Sequence, residues 1–489
     1  MRSASLAARP GLAVLLLAAV LLALPGPGPA LAADPGLAAL LEEALANNPE
    51  IHAAASRVQS GKHRVPQAGS LPDPSFSVGY TNEGLQKYTY GNGYDSVWAY
   101  SVSQTVPFPG KLIQKNKVAS KDVEVLETQL WALRLQTVAK VKELYYELFL
   151  AYRTVDLLQE RIALFEQVEK AALARYGAGM GDQREAVMAQ TEKYMLLERV
   201  EMARQRLQIA EGQLNAQLGR QVLTPVPRPA EPPKGPYPET LEALLAKASF
   251  DAPDTRTRQK RLEKAQTKVT AAQQEFFPDV TLTAGYASKG YKLSQAPTTS
   301  GEDASGPAGQ SQRWGDMWSG AVSVTIPLYF WTKQAEGLKE SKADLQEARR
   351  DLESIKNMTA AAIRENFVMV KTAERIADLY ASGTIPKTRQ DFELAVAGYA
   401  GGKGDISGVI ARLKTLLDSE VQYWTQLTDK QKAVARLEGL TGLGEGFALA
   451  AARTAGQMAG QTAGQASNSG KNPAVGHDAT APTNASHTQ

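Results

Sequence analysis

From Lys111 to Tyr176 the chain runs for 66 residues without a Pro or a Gly, the two residues that most readily end a helix. Within that run Leu126, Leu130, Leu133, Thr137, Val141, Leu144, Leu148, Ala151, Val155, Leu158, Ile162 and Phe165 recur at steps of three and four. The mean step is about 3.5 residues, the coiled-coil period. At about 1.5 Å per residue the run predicts one helix roughly 100 Å long. A compact globular domain has little use for such a rod. A second run, from Thr332 to about Ser382, predicts another rod, with a break at Gly383 and Pro386 and a resumption to Tyr399.

The second rod is not a coincidence, because the chain is written twice. Pro72, Asp73, Gly79 and Tyr80 recur as Pro278, Asp279, Gly285 and Tyr286 at a spacing of 206. Thr105-Val106-Pro107 recurs as Thr325-Ile326-Pro327 at 220, and Tyr176 to Asp182 as Tyr399 to Asp405 at 223. Landmarks repeated in one order mark a duplicated unit of about 200 residues, too long for a solenoid repeat. The predicted order in each half is helix, strand, strand, very long helix, Gly-rich turn, long helix. The expected boundaries are a first repeat at 33–219, a Pro-rich linker at 220–238 and a second repeat at 239–443. The linker, with its many Pro, reads as a stiff extended connector. Residues 444–489, dominated by Ala, Gly, Gln, Ser and Thr, read as a disordered tail.

The first 32 residues read as a signal peptide: Arg2 and Arg9, an apolar run from Leu12 to Leu24, then Ala30-Leu31-Ala32 before the cut. That apolar run is shorter than the roughly 20 residues a spanning helix needs. An exported chain of this kind can enter a membrane only with strands. Four candidate strands alternate with period two. Phe76, Val78 and Tyr80 alternate with Ser75, Ser77 and Gly79; Trp98, Tyr100 and Val102 with Ala99, Ser101 and Ser103. Val280, Leu282, Ala284 and Tyr286 alternate with Thr281, Thr283 and Gly285; Trp318, Val322, Val324 and Ile326 with Ser319, Ala321, Ser323 and Thr325. One face is apolar, with Tyr80, Trp98, Tyr100, Tyr286 and Trp318 as a candidate aromatic girdle; the other is small and hydroxylic. That is the pattern of a barrel strand between lipid and water. Four strands do not close a barrel, since small ones need about eight. Several copies must share one: two would give eight strands filled by side chains, three give twelve and an open lumen, and the polar inner face favours the water-filled option.

In this order of elements the chain resembles the TolC-like outer-membrane factor family over about residues 37–443. The resemblance implies a mostly α fold with a small β part. It also implies a homotrimer whose twelve strands form an outer-membrane barrel continuing into a periplasmic coiled-coil α-barrel. It implies an exit duct in outer-membrane lipid that conducts solutes for a periplasmic adaptor and an inner-membrane pump of the resistance-nodulation-division type. The run Gln104-Thr105-Val106-Pro107-Phe108-Pro109-Gly110-Lys111-Leu112 is similar to that of the heavy-metal efflux branch, so metal ions or small toxic compounds are the implied cargo. Asn48-Pro49-Glu50-Ile51 is similar to the family's early helix. Pro107, Pro109, Gly110 and Pro327 mark the strand-to-helix turns.

Two Gly-rich turns join the long helices: Gly179, Gly181, Asp182, Gln183 and Glu185 in the first half, Gly402, Gly404 and Asp405 in the second. Gly supplies positive φ and Asp caps the helix that follows. By resemblance these turns are periplasmic tips that gate the tunnel and meet the adaptor. Gly408 and Ala411 stand where family members often carry carboxylates; Asp182, Glu185 and Asp405 are the candidates for an acidic ring. A nucleotide site is not indicated, because no strand precedes either turn and no Gly-Lys-Ser/Thr follows.

Composition narrows the chemistry. There is no Cys, so no disulfide, no thiolate site and no lipid attached to a Cys. Only four His are present, at 52, 63, 477 and 487, and no hydrolase motif surrounds them. Lys and Arg number 54 against 51 Asp and Glu, no excess for binding nucleic acid. No catalysis, cofactor or resident metal is expected. Two other readings stay open from the sequence: the outer-membrane component of type I protein secretion, and a periplasmic coiled-coil adaptor or scaffold.

Overall fold

The computed structural model describes residues 35–91, 95–292, 312–313 and 315–442. The expected signal peptide and the tail lie outside the described residues. The elements run α1 (Pro35–Asn47), α2 (Pro49–Gly69), β1 (Ser75–Thr81), β2 (Val97–Val106), α3 (Pro109–Gly177) and α4 (Gln183–Leu218). They continue with α5 (Leu241–Asp251), α6 (Pro253–Gln274), β3 (Asp279–Ser288), β4 (Tyr291–Lys292), β5 (Gln312–Arg313), β6 (Met317–Thr325), α7 (Gln334–Leu379), a π turn (Tyr380–Thr384), α8 (Ile385–Ala400) and α9 (Ile406–Thr441).

The rod of the first half is one unbroken helix of 69 residues. One expectation needs correction. Each half opens with two helices, not one. Asn48 ends α1, and its side-chain oxygen accepts from the N–H groups of Glu50 and Ile51 at 2.8 and 3.2 Å, while Pro49 takes the first helical position. Pro253 likewise takes the first position of α6, there without a side-chain cap. At Gly383 and Pro386, where the sequence predicts a break, α7 ends at Leu379 and α8 starts at Ile385. A single π turn carries the chain from α7 into α8. Pro386 then lies at the second position of α8, where its missing N–H costs nothing. The Ser382 hydroxyl donates to the Asp378 carbonyl at 2.6 Å, occupying an acceptor that the wider turn loosens.

The chain packs as two units. One takes in residues up to 46, 141–233 and 385–428; the other takes in 47–140, 234–384 and those from 429 on. In the first unit, Phe165, Ala189, Leu196, Leu413 and Leu416 bury against one another between the C-terminal half of α3, α4, α8 and the start of α9. Their spacing along each helix is the three-four stripe read from the sequence, and each large apolar side chain contributes about 1.5–3 kcal/mol on burial. Inside this core Glu420 accepts from Arg161 and, at 3.0 Å, from Arg389. Residues 220–233 of the Pro-rich segment form neither helix nor strand. The Asn215 amide holds them by donating to the carbonyls of Val222 and Thr224 at 3.1 and 2.7 Å.

In the second unit, Leu244, Ile363, Val370 and Leu437 form a core between α5, α7 and α9. The end of the Pro-rich segment is fastened to it. Glu374 accepts the Tyr237 N–H and pairs with Lys430 at 3.1 Å, and Lys371 donates to the Tyr237 carbonyl at 3.0 Å. Burial pushes the Glu374 carboxyl up, but the Tyr237 N–H and the two ammonium groups outweigh it and hold it below its ordinary 4.5. A lowered folded value means stability present above about pH 4.5 and lost as pH falls through that lowered value. Glu374→Gln is therefore expected to lower the urea midpoint at pH 7. The gap from wild type should close as pH is taken below 4; a gap constant with pH would show that the carboxylate charge is not what holds the segment.

The sheet also belongs to this second unit. Its order is β1-β2-β3-β6, antiparallel throughout. A short β4–β5 pair, not expected from the sequence, extends beyond it.

Candidate functional site

Register places each expected strand residue on the face its alternation implies. Val78 lies opposite Tyr100, Tyr100 opposite Tyr286, and Tyr286 opposite Trp318. Three of the five expected girdle residues thus share one row near one end of the sheet. Tyr80 and Trp98 are opposite one another in the next row, with ring centroids 5.0 Å apart. The Trp98 indole N–H donates to the Tyr88 hydroxyl at 3.1 Å. These two are half-buried beneath the 82–91 loop, whereas Trp318 is 86% exposed. Along the same face Phe76, Val102, Leu282, Val322 and Val324 are all exposed. No described element covers this face, and an aqueous protein would bury it.

The opposite face is a ladder of hydroxyls. Ser75 and Ser103 are 2.7 Å apart, Ser77 and Ser101 2.7 Å, and Thr105 and Thr281 3.0 Å. These cross-strand pairs satisfy their own hydrogen bonds and leave a small, wettable surface.

At the other end of the strands the turns into the rods are built differently. After Pro107, Asp279 accepts from the Phe108 N–H at 3.0 Å and from Lys111 at 2.9 Å, and Phe108 stacks on Phe277 at 4.4 Å. Pro109 begins α3. A Cβ on Gly110 would strike the Gln274 amide and the Phe108 ring, which explains the glycine. After Pro327 the chain exposes Leu328, Tyr329, Phe330 and Trp331 together. This second aromatic group is not among the girdle residues that alternation picks out, although four consecutive large apolar residues beside a strand end are its signal.

The Gly-rich turns belong to the first unit and share one geometry. The Met180 N–H donates to the Arg175 carbonyl at 2.9 Å and Gly179 to Tyr176 at 3.0 Å; Lys403 donates to Gly398 at 2.9 Å and Gly402 to Tyr399 at 3.1 Å. Both are Schellman caps with glycine at positive φ, 71° at Gly179 and 75° at Gly402. Gly181 and Gly404 sit close over the preceding helix ends, with Tyr176 N and Tyr399 N 3.3 and 3.4 Å from where a Cβ would stand. Asp182 caps α4, which starts at Gln183, by accepting from the Arg184 N–H at 3.0 Å. Asp405 accepts from the Gly408 N–H at 3.1 Å and from the Ser407 hydroxyl. The Ser407 hydroxyl and then that N–H hold its carboxyl below the usual range.

The two turns are tied together. Arg175 donates to the Tyr399 carbonyl, and its guanidinium lies 4.6 Å from the Tyr399 ring centre. The Tyr399 hydroxyl donates to Glu185 at 3.1 Å. Burial and then that carboxylate push the Tyr399 hydroxyl up to about 12. Glu185, a candidate for an acidic ring by sequence, is thus engaged in a link between the turns. Sequence patterns do not single out Arg175 and Tyr399 as a pair, since they lie 224 positions apart.

The outer membrane efflux protein family model matches residues 40–220 and 244–443. Over 379 residues the chain is 24% identical to the "Probable outer membrane lipoprotein SilC" of Salmonella typhimurium, covering 72% of this chain and 78% of that protein. It is 22% identical to the cobalt-zinc-cadmium resistance protein CzcC of Cupriavidus metallidurans, covering 83% and 90%. Among solved structures, the outer membrane protein VceC of Vibrio cholerae superposes with a TM-score of 0.66 at 18% identity, covering 83% of this chain and 96% of that one.

Proposed function

Because the chain belongs to the outer membrane efflux protein family, an exit duct of tripartite efflux systems, we propose how its own surfaces perform that task. Three copies close one twelve-stranded barrel in the outer membrane, after export directed by residues 1–32. The apolar strand face meets lipid, with the Tyr100–Tyr286–Trp318 row and the Leu328–Trp331 group near its two edges. The Ser and Thr face lines the water-filled lumen. The long helices carry the path onward through the periplasm. The observation that carries this reading is the uncovered sheet: apolar and aromatic on one face, hydroxylic on the other, with Trp318 86% exposed.

The duct is passive. A pump of the resistance-nodulation-division type supplies the drive, and a periplasmic adaptor meets the turns around Gly179 and Gly402. Metal ions are the favoured cargo, supported by the likeness to a protein named for cobalt, zinc and cadmium resistance. The Arg175–Tyr399–Glu185 link holds the two turns of each copy together and so favours a narrow entrance.

Conductance across a planar bilayer tests both parts. Wild-type protein is expected to give small, stable channels. Arg175→Ala removes the donor to the Tyr399 carbonyl and the cation over the ring, and is expected to raise single-channel conductance several-fold. No channel from either protein would end the duct reading. Equal conductance would end the role of the link alone. A deletion strain more sensitive to cobalt, zinc and cadmium would support the cargo; unchanged sensitivity to them would remove it.

A further inference from the structure

The two hairpins of the sheet end differently, although the chain is duplicated. The β3–β6 hairpin leads into the short β4–β5 pair. In the β1–β2 hairpin the 82–91 loop turns back onto the apolar face. Tyr80, Trp98 and Ser288 form the outermost row of that face, Tyr80 opposite Trp98 and Trp98 opposite Ser288. Tyr88 lies on this row: its ring centre is 4.9 Å from that of Tyr80, and its hydroxyl accepts from the Trp98 indole at 3.1 Å. Tyr90 reaches the far end of the row, where its hydroxyl and that of Ser288 are 3.1 Å apart.

One side chain makes the reversal. The Asn82 carbonyl oxygen accepts from the Tyr80 hydroxyl at 2.7 Å and from the Thr89 N–H at 2.8 Å. Its amide donates to the carbonyls of Gly84 and Lys87, both at 2.7 Å. Gly84 takes the positive φ, 84°, that the bend requires. The Glu83 N–H is shared between the hydroxyls of Thr89 and the fully buried Ser96. At the end of the loop Gly91 lies against Gly290, where a Cβ would stand 3.1 Å from the Gly91 Cα. The loop is thus clasped at both ends.

What the clasped loop presents is apolar. Leu85 is fully exposed and Tyr88 65% exposed, with the exposed Lys87 between them in sequence. An aliphatic, an aromatic and a long cationic side chain together are the mixture that settles where lipid headgroups meet acyl chains. The depth agrees. The row under Tyr88 lies two residues, or about 7 Å, beyond the Tyr100–Tyr286–Trp318 row. We propose that the 82–91 loop, held by Asn82, is a docking surface for lipid: it seats in the headgroup–acyl boundary of the outer leaflet, with Leu85 and Tyr88 against acyl chains and Lys87 among the headgroups. The proposal rests on the membrane reading of the apolar face and adds a lipid contact that no strand residue makes.

The chain has no Cys, so single cysteines carry a nitroxide label without background. In reconstituted bilayers, oxygen collides with labels in lipid and a water-soluble nickel chelate with labels in water. Leu85→Cys is expected to give an oxygen-to-nickel accessibility ratio several-fold above that of Ser323→Cys, on the hydroxyl face. Its ratio should fall below that of Val322→Cys, which lies deeper on the apolar face. Adding Asn82→Ala to Leu85→Cys is expected to bring its ratio down to that of Ser323→Cys, with Val322→Cys unchanged in the same background. A Leu85→Cys ratio equal to that of Ser323→Cys, beside a high ratio at Val322→Cys, overturns the loop's place in lipid and leaves the apolar face there. A low ratio at Val322→Cys as well ends the membrane reading itself. A Leu85→Cys ratio that stays high after Asn82→Ala overturns the part assigned to Asn82.

Discussion

Replacing Glu420 by Leu is expected to cost the protein about 3–5 kcal/mol, the usual penalty for breaking a buried ion pair on one side. The side chains of Arg161 and Glu420 are 9% and 7% exposed. Leucine fills most of the volume but leaves the Arg161 guanidinium inside an apolar core with no counter-charge. Its Nε already lacks a partner. Arg389, the second donor to Glu420, is 56% exposed and can turn to water. The loss should therefore trace to Arg161. Adding Arg161→Leu to Glu420→Leu is expected to restore most of the stability, because the hydrophobic replacement of both partners no longer strands a charge. Urea unfolding of the detergent-solubilised protein measures both. A single-variant cost under about 1 kcal/mol would mean that water reaches this pair.

The second large effect belongs to the sheet. Val322, in the middle of β6, is 70% exposed on the apolar face. In an aqueous protein an exposed Val→Arg change is close to neutral. With the proposed apolar face toward lipid, Val322→Arg is expected to cost about 2–4 kcal/mol. It should sharply lower the yield of folded, membrane-inserted protein. Ser323→Arg, one residue on and on the hydroxyl face, is the control and should insert at near wild-type yield. Equal yields from the two arginine variants would remove the assignment of faces, whichever way both moved.

Much of the fold is legible in the amino-acid order. The rod of α3 is readable because Leu126 to Phe165 keep a helical period and no Gly or Pro interrupts them. The faces of the strands are readable because side chains alternate, so Val78 and Ser77 have to point apart. Tyr100, Tyr286 and Trp318, three of the five residues proposed for a girdle, line up in one row, and Tyr80 and Trp98 are partly covered by Tyr88. That depends on how the 82–91 loop folds back, and periodicity carries no information about a loop. The interruption expected at Gly383 and Pro386 is where α7 gives way and α8 begins, but its π form is not legible, because a propensity rule knows only the α turn.

The sequence by itself determined what is local or repeated: helix against strand, the face each strand residue takes, the glycine caps, and the duplication. Each follows from a short period or a fixed offset along the chain. The tertiary structure decided which distant groups meet. β2 lies beside β3, Thr105 meets Thr281 across 176 positions, Arg161 meets Glu420 across 259, and Arg175 meets Tyr399. Such contacts are chosen by the packing of whole helices and the order of strands in the sheet. A charged or aromatic residue carries no mark of its partner until that packing brings the two together.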